Sequence, residues 1–152
     1  MGGGYIKCGE FEGEDKSGSP ISAVLSEVFR RAFSRSPSGR IAFALRGLFG
    51  GKRSPIESEI EAALLSVKYD ELGRISPAVA AHLLPFLRDY DAEIRKRLGI
   101  SAADDFSGFM KRSTSAKYGF AQDDGWHLYC LRDLIQACER SRDTGVEVEI
   151  SW

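Results

Sequence analysis

Near its C-terminus the chain reads Val146-Glu147-Val148-Glu149-Ile150, directly after a helical pattern that runs from Trp126 to Arg142. Apolar and acidic residues alternate strictly in this stretch, which is the period of a strand that buries one face. The preceding segment spaces its apolar residues three and four apart, as one face of a helix requires: Leu128, Leu131, Leu134, Ile135 and Cys138. We therefore predict a last helix that Gly145 stops. We expect the strand after it to turn Val146, Val148 and Ile150 inward.

A strand in this position needs partners, because its backbone donors and acceptors are otherwise unmet. Tyr5 to Glu12 predicts an N-terminal strand with Ile6 and Cys8 on one face and a bulge at Gly9. Tyr118 to Ala121 predicts a middle strand, before a turn at Asp123-Asp124-Gly125. The fold class is therefore α+β, predominantly helical, with a small sheet formed by N-terminal, middle and C-terminal strands.

Serine followed by proline stands at three places where a helical pattern begins, which are Ser19, Ser54 and Ser76. Serine is a favourable N-cap, and proline is preset for the first helical position. After Ser19 the apolar residues follow a helical spacing: Ile21, Val24, Leu25, Val28, Phe29, Ala32 and Phe33. The helix that starts after Ser76 should reach Gly99. We expect a kink or a break at Pro85, since proline removes a backbone donor inside a helix.

Two further segments predict short helices. The first runs from Arg40 to Phe49 and is followed by Gly50-Gly51, because glycine suits the left-handed conformation after a helix. The second runs from Ser101 to Lys111 and carries Phe106, Phe109 and Met110.

Composition indicates one domain over residues 1–152, because 152 residues with 43% hydrophobic content suit a single core. No apolar run approaches the roughly 18 residues that span a bilayer, so we expect no membrane partner. The N-terminal residues lack the basic and apolar regions of a secretory signal, and the three cysteines lack a disulfide spacing. We therefore expect buried, reduced thiols and a cytoplasmic location.

Several residue patterns in the chain are compatible with catalysis or metal binding, but each has a simpler explanation. His127 and Cys130 lie three apart on one helix face, but structural zinc needs four ligands and the chain has two histidines. Packing of the cysteine beside a partly exposed histidine explains the pair better. The acid pairs Asp104-Asp105 and Asp123-Asp124 have no accompanying base or ligand spacing. We expect no catalytic residue, metal or cofactor, and no enzymatic activity.

The basic tract 30–53 is the feature that points to nucleic acid. Its arginines and lysine follow one another without an intervening acid, with Phe33, Phe43 and Phe49 interleaved. However, the net charge of the chain is −1, and Phe33 falls on the apolar stripe of its helix. A nucleic-acid partner is therefore an alternative hypothesis and not the expected one.

The order of elements resembles a known group of proteins. An N-terminal strand precedes a helix led by Gly18-Ser19-Pro20, a short helix from Gly39-Arg40 to Gly50-Gly51, and a capped helix from Pro55. Asp124-Gly125-Trp126-His127-Leu128 then leads into the last helix and the closing strand. This layout resembles the small cytoplasmic immunity proteins that are encoded beside bacterial polymorphic and contact-dependent toxins.

The resemblance implies an inhibitor that binds one cognate toxin domain, blocks its active site or substrate path, and performs no catalysis. It carries over no site residues. Because nuclease and deaminase toxins have basic substrate grooves, an acidic patch with an aromatic anchor is the expected binding surface. The toxin-binding residues predicted on these grounds are Glu10, Glu12, Glu14, Asp15, Asp123, Asp124 and Trp126. The alternatives are a nucleic-acid-associated accessory protein that uses the tract 30–53 and a small enzyme with a site assembled from scattered residues. The sequence leaves the oligomeric state open.

Overall fold

A computed structural model describes residues 4–14, 18–34, 55, 58–60, 62, 72–101 and 124–151. Its strands are β1 (Tyr5–Cys8), β2 (Phe11–Glu12), β3 (Gly73–Ile75) and β4 (Val148–Ser151), and its long helices are α1 (Gly18–Ser34), α2 (Pro77–Leu98) and α3 (Asp124–Thr144). Pro55, residues 58–60 and Ala62 are also helical, as the start signal at Ser54 predicted. The predicted elements at Arg40 to Phe49 and Tyr118 to Ala121 lie outside the described residues, as does the predicted helix Ser101 to Lys111 apart from Ser101 itself.

The four strands form one antiparallel sheet in the order β2-β1-β4-β3. The C-terminal strand β4 therefore lies inside the sheet, between the N-terminal strand β1 and the middle strand β3. Ile6 pairs with Ile150, and Ile75 pairs with Val148. This arrangement confirms the predicted α+β class with N-terminal, middle and C-terminal strands. The middle strand β3, however, comes from a segment that the sequence analysis did not identify as a strand.

One face of the sheet is covered by the helices and the other carries charges. The buried face presents Ile6, Cys8, Ile75, Val148 and Ile150, and α3 packs directly on β1 and β4. On the opposite face, the register places Glu12, Lys7, Glu149 and Arg74 in one row across the four strands. Opposite charges facing each other on neighbouring strands stabilise this register. A slip of one residue would bury the charged row, so the pairing is strongly specified.

The three helices form the second layer of the domain. α2 and α3 pack closely against each other, and α1 contacts both. The predicted stripe of α1 faces the core where its side chains are described: Ala32 is partly buried, and the others are buried, namely Ile21, Val24, Leu25, Val28 and Phe29. The predicted stripe of α3 is also buried, apart from Ile135, which packs against the core but is only partly buried. No helix among the described residues combines the length and the apolar composition needed to cross a membrane.

The N-terminal segment is a hairpin and not the single bulged strand that we predicted. The chain reverses at Gly9 and Glu10, so that Cys8 pairs with Phe11 and Lys7 pairs with Glu12. Gly9 has a φ of 60°, which glycine adopts without steric cost. A two-residue turn that begins in this conformation matches the twist of the two strands. The glycine therefore makes a turn here, where the sequence pattern suggested an insertion.

α2 has the ends that its sequence predicted, and it is not divided at Pro85. Ser76 caps its first turn, with the hydroxyl accepting a bond from the Val79 amide at 3.3 Å, and Gly99 ends it with a φ of 67°. The predicted division into two helices is wrong, because residues 77–98 form one continuous helix through Pro85. Pro85 and Ala81 both lie on the exposed side. Pro85 has no amide hydrogen to donate to the Ala81 carbonyl, and water can bind that carbonyl on the exposed side instead.

Two boundaries near the C-terminus also differ from the predictions. Asp124 and Gly125 belong to α3, where we predicted a turn. Val146 is 44% exposed and precedes β4, where we predicted an inward strand residue. Gly145, with a φ of 75°, ends α3, and its amide bonds the Ser141 carbonyl at 2.9 Å. The chain needs two more residues after that turn before it reaches the sheet, so alternation begins at Val148.

Candidate protein-binding surface

Tyr129 connects two groups of residues that the sequence analysis proposed separately. Its hydroxyl donates a hydrogen bond to Oε2 of Glu14 at 2.5 Å, although the two residues lie far apart in the sequence. Its ring meets the ring of Trp126 edge to face, with centroids 5.6 Å apart. The hairpin acids and the aromatic start of α3 are therefore neighbours in the folded chain.

Arg132 completes this group from the next turn of α3. Its guanidinium lies over the Tyr129 ring, 5.0 Å from the centroid, and its Nη2 stands 3.1 Å from Oε2 of Glu14. Trp126, Tyr129 and Arg132 are spaced three apart, so they share one helix face. We call Glu14, Trp126, Tyr129 and Arg132 together the Tyr129 surface. The three helix residues are partly exposed, and Glu14 is exposed.

A buried carboxylate lies beneath this surface. Asp133 is only 2% exposed. Its Oδ2 accepts a hydrogen bond from the Glu14 amide at 2.9 Å, and its Oδ1 accepts one from Nε of Arg132 at 3.0 Å. Buried carboxylates are tolerated when they are paired and hydrogen-bonded in this way. Asp133 thus links the hairpin exit to α3.

Gly13 permits the close approach of these two segments. Its amide bonds the Ile6 carbonyl at 2.8 Å, which extends the hairpin ladder by one residue. A Cβ at this position would stand 2.8 Å from Cγ of Asp133 and closer still to its Oδ2. The absence of a side chain is therefore required for the Asp133 carboxylate to reach the Glu14 amide.

The environment of Tyr129 keeps its hydroxyl protonated. Burial, followed by the hydrogen bond to Glu14 and the charge of that carboxylate, raises the pKa of Tyr129 far above its ordinary value. A neutral phenol donates its proton, which is the role that the bond to Glu14 requires. Glu14 is in turn the acceptor for both Tyr129 and Arg132.

The predicted acidic residues do not form an uninterrupted negative patch. Glu12 faces Lys7 at 3.9 Å, Glu10 faces Arg140 at 3.8 Å, and Asp124 pairs with Arg97 at 2.8 Å. Exposed pairs of this kind are weak, and the Glu10 side chain is 97% exposed, so its charge remains accessible to a partner. The structure brings Glu14 and Trp126 together through Tyr129, while Asp15 and Asp123 lie outside the described residues.

A second polar cluster ties the three helices together away from the sheet. Arg31 of α1 binds Glu27 at 2.8 Å and Glu93 at 2.7 Å, and its guanidinium lies 4.5 Å above the Tyr90 ring. Hydrogen bonds from Arg30 and Arg31, that of Arg30 being the stronger influence, lower the pKa of Glu27 to about 2. These two arginines begin the basic tract 30–53, and the charge of each is engaged by an acid.

His127 of α3 joins that cluster through Tyr90. It is buried, which corrects the expectation of a partly exposed histidine, and its Nδ1 lies 2.9 Å from the Tyr90 hydroxyl. Burial raises the pKa of Tyr90. Cys130 is also buried, and the described residues contain no group of three or more His, Cys, Asp or Glu residues that could hold a metal ion. Both side chains of the pair therefore pack in the interior of the domain.

All three cysteines are free and buried. Cys8 lies on the inward face of β1, and its thiol donates to the Val146 carbonyl at 3.5 Å. Burial raises the pKa of Cys138 to about 12, so its thiol is protonated at neutral pH and a poor nucleophile.

Tyr129, Arg132 and Asp133 were not among the residues predicted from the sequence. Trp126, Tyr129 and Arg132 repeat every three residues on the side of α3 away from its apolar stripe, and this spacing is a detectable signal. The burial of Asp133 has no local signal, because its partner amide at Glu14 comes from a distant segment.

Comparisons with known proteins give no relative. No protein-family model matches the sequence, and no curated protein or solved structure matches it. The resemblance to immunity proteins therefore stays a prediction from the order of elements.

Proposed function

We propose that this protein is an immunity protein that binds a cognate bacterial toxin domain and neutralises it by occluding the active site. The observation that supports the proposal is the Tyr129 surface, in which two aromatic rings, an arginine and a carboxylate form one connected group. Tryptophan, tyrosine and arginine are the residue types that contribute most to binding energy at protein interfaces. The proposal makes the protein a stoichiometric inhibitor in the cytoplasm, without catalysis of its own.

The charges around the surface suit a basic partner. Glu10 and Glu12 belong to the hairpin that leads into Glu14, and their salt-bridge partners are single, solvent-exposed cations. A toxin groove that binds a polyanionic substrate would offer several cations and could replace such weak pairs. Complementary charge of this kind increases the association rate and excludes other partners.

The first experiment is co-expression with the toxin domain encoded by the neighbouring gene. We expect the two proteins to co-purify in equal amounts and expect cells that express the toxin domain to survive only with this protein. Toxicity that persists beside a soluble, folded immunity candidate would refute the proposal.

Variants locate the binding surface. Truncation of an interface aromatic costs roughly 1–4 kcal/mol, so Tyr129→Ala should weaken toxin binding by about tenfold or more. Glu14→Gln should also weaken binding. Glu147→Gln is the matched control, because Glu147 is an exposed carboxylate paired with Arg74 of β3, at the sheet edge opposite the hairpin.

Calorimetric titration and thermal denaturation of each variant separate lost affinity from lost folding. If Tyr129→Ala and Glu14→Gln bind with the wild-type affinity while remaining folded, the toxin uses a different surface. If Glu147→Gln weakens binding as much as Glu14→Gln, the effect reflects overall charge and not this surface.

A further inference from the structure

The Tyr129 surface is assembled by a residue that a partner cannot touch. Glu14 leaves the hairpin on a segment that is not part of the sheet, and a short exposed segment of this kind ordinarily samples several conformations. Here its amide is bound by a carboxylate that belongs to α3 and is almost fully buried. The same carboxylate holds Nε of Arg132, whose Nη2 reaches the Glu14 side chain.

These contacts close a ring through both segments. The Asp133 carboxylate binds the Glu14 backbone and the Arg132 guanidinium, and that guanidinium binds the Glu14 carboxylate. Tyr129 adds a second donor to the same carboxylate. The backbone amide and the side-chain carboxylate of Glu14 are thus both bound by residues of α3. The Arg132 guanidinium lies between the carboxylates of Glu14 and Asp133.

From this geometry we propose that Asp133 is a positioning residue, which sets the Tyr129 surface in its binding arrangement before the partner arrives. That this arrangement is the one that binds the toxin rests on the proposed function. A surface that is ordered beforehand loses less conformational entropy on binding, which strengthens affinity without adding a contact. The partner it fits is the basic toxin groove of the proposed function.

Asp133→Asn is the most specific perturbation. Asparagine has the shape of aspartate but only one side-chain acceptor oxygen, so it can satisfy the Glu14 amide or Nε of Arg132 but not both. Loss of one charge-assisted bond should accelerate hydrogen exchange at the Glu14 amide by roughly tenfold or more. Core amides such as that of Leu131 should exchange only through global unfolding, as in the wild type, so their exchange should change only as much as the free energy of unfolding changes.

The matched control is Asp143→Asn on the same helix. Asp143 follows Arg142 as Asp133 follows Arg132, and its Oδ1 accepts from Nε of that arginine at 2.8 Å. Its side chain is exposed and lies in the last turn of α3. Asp143→Asn should leave exchange at Glu14 within a factor of two of the wild type.

A second variant disturbs the same contact from the other side. In Gly13→Ala the new methyl group occupies the space of the Asp133 carboxylate, so the Glu14 amide should lose protection although Asp133 is intact. This variant tests the proposal even if Asp133→Asn lowers the stability of the whole domain. Unchanged exchange at Glu14 in both variants, measured on folded protein, would overturn the proposal.

Binding to the toxin domain of the neighbouring gene gives an independent readout. Asp133→Asn should weaken it by about tenfold, with Asp143→Asn unchanged. If the wild-type protein does not bind the toxin domain, the proposed function fails, while the exchange experiment still decides whether Asp133 orders the surface. If the wild type binds and Asp133→Asn binds equally well, the positioning role fails and the proposed function stands.

Discussion

Val148 and Val146 offer a direct test of where the sheet begins. They are the same residue type, two positions apart, and the alternating sequence pattern places both on the buried face. In the structure Val148 is 0% exposed and pairs with Ile75, whereas Val146 is 44% exposed and lies before the strand. Replacing each valine by alanine should therefore have very different effects on stability.

The expected magnitude follows from the burial of each side chain. Val148→Ala removes two methyl-sized groups from the core, which costs about 0.8 kcal/mol each in transfer free energy. The cavity left between the sheet and the helices adds to this, so we expect a loss of about 2–3 kcal/mol in the free energy of unfolding. Val146→Ala should change it by no more than about 0.5 kcal/mol.

Urea denaturation followed by circular dichroism measures both values. For a chain of this length, Val148→Ala should also lower the melting temperature by about 5–10 °C. Equal losses in the two variants would show that Val146 is buried, that the strand starts earlier, and that the assigned register is wrong. A loss below about 0.5 kcal/mol for Val148→Ala would show that β4 is not part of the core.

Four other predictions concern the strand, an acid, a hydroxyl and a thiol. Deleting the residues after Thr144 removes β4 from between β1 and β3, so the shortened chain should lose its cooperative unfolding transition, and a folded product would contradict the sheet order. The folded-state pKa of Glu27 is about 2, below its ordinary value of 4.5, so the stabilisation it supplies is present above pH 4.5 and is lost as the pH falls toward 2. Glu27→Gln should therefore destabilise the domain at pH 7 but not at pH 2, in urea titrations at both pH values. The buried Ser141 hydroxyl has no hydrogen-bond partner among the described residues, so Ser141→Ala should raise the free energy of unfolding by about 1 kcal/mol, and a loss of 1 kcal/mol would reveal a bond. Iodoacetamide should modify Cys138 only on unfolding, and mass spectrometry showing rapid modification of the native protein would contradict its burial.

The helices were predictable because their signals are local. Ser76 and Gly99 mark the two ends of α2 through contacts with residues no more than four positions away. The apolar stripes of α1 and α3 likewise follow from the period of the helix. Pro85 shows the limit of this reasoning, since its cost depends on whether the freed carbonyl meets solvent, and exposure is a property of the whole fold.

The candidate surface was predictable only in part. Glu14 and Trp126 were proposed because an acidic patch with an aromatic anchor suits a basic toxin groove, but nothing in the sequence indicated that Tyr129 would join them. The contact depends on how the hairpin exit meets α3, and this in turn depends on the space left by Gly13. No local pattern distinguishes Arg132 and Asp133 from ordinary charged residues of a solvated helix face.

The sequence by itself determined the α+β class, the three long helices, and a closing strand with Val148 and Ile150 inward. Capping and periodicity act between residues a few positions apart, so a chain read in order contains them. The tertiary structure alone decided that β3 would be the middle strand and that Val146 would stay outside the sheet. It alone buried Asp133 beneath Glu14, because pairing and burial between distant segments depend on the packing of the whole domain.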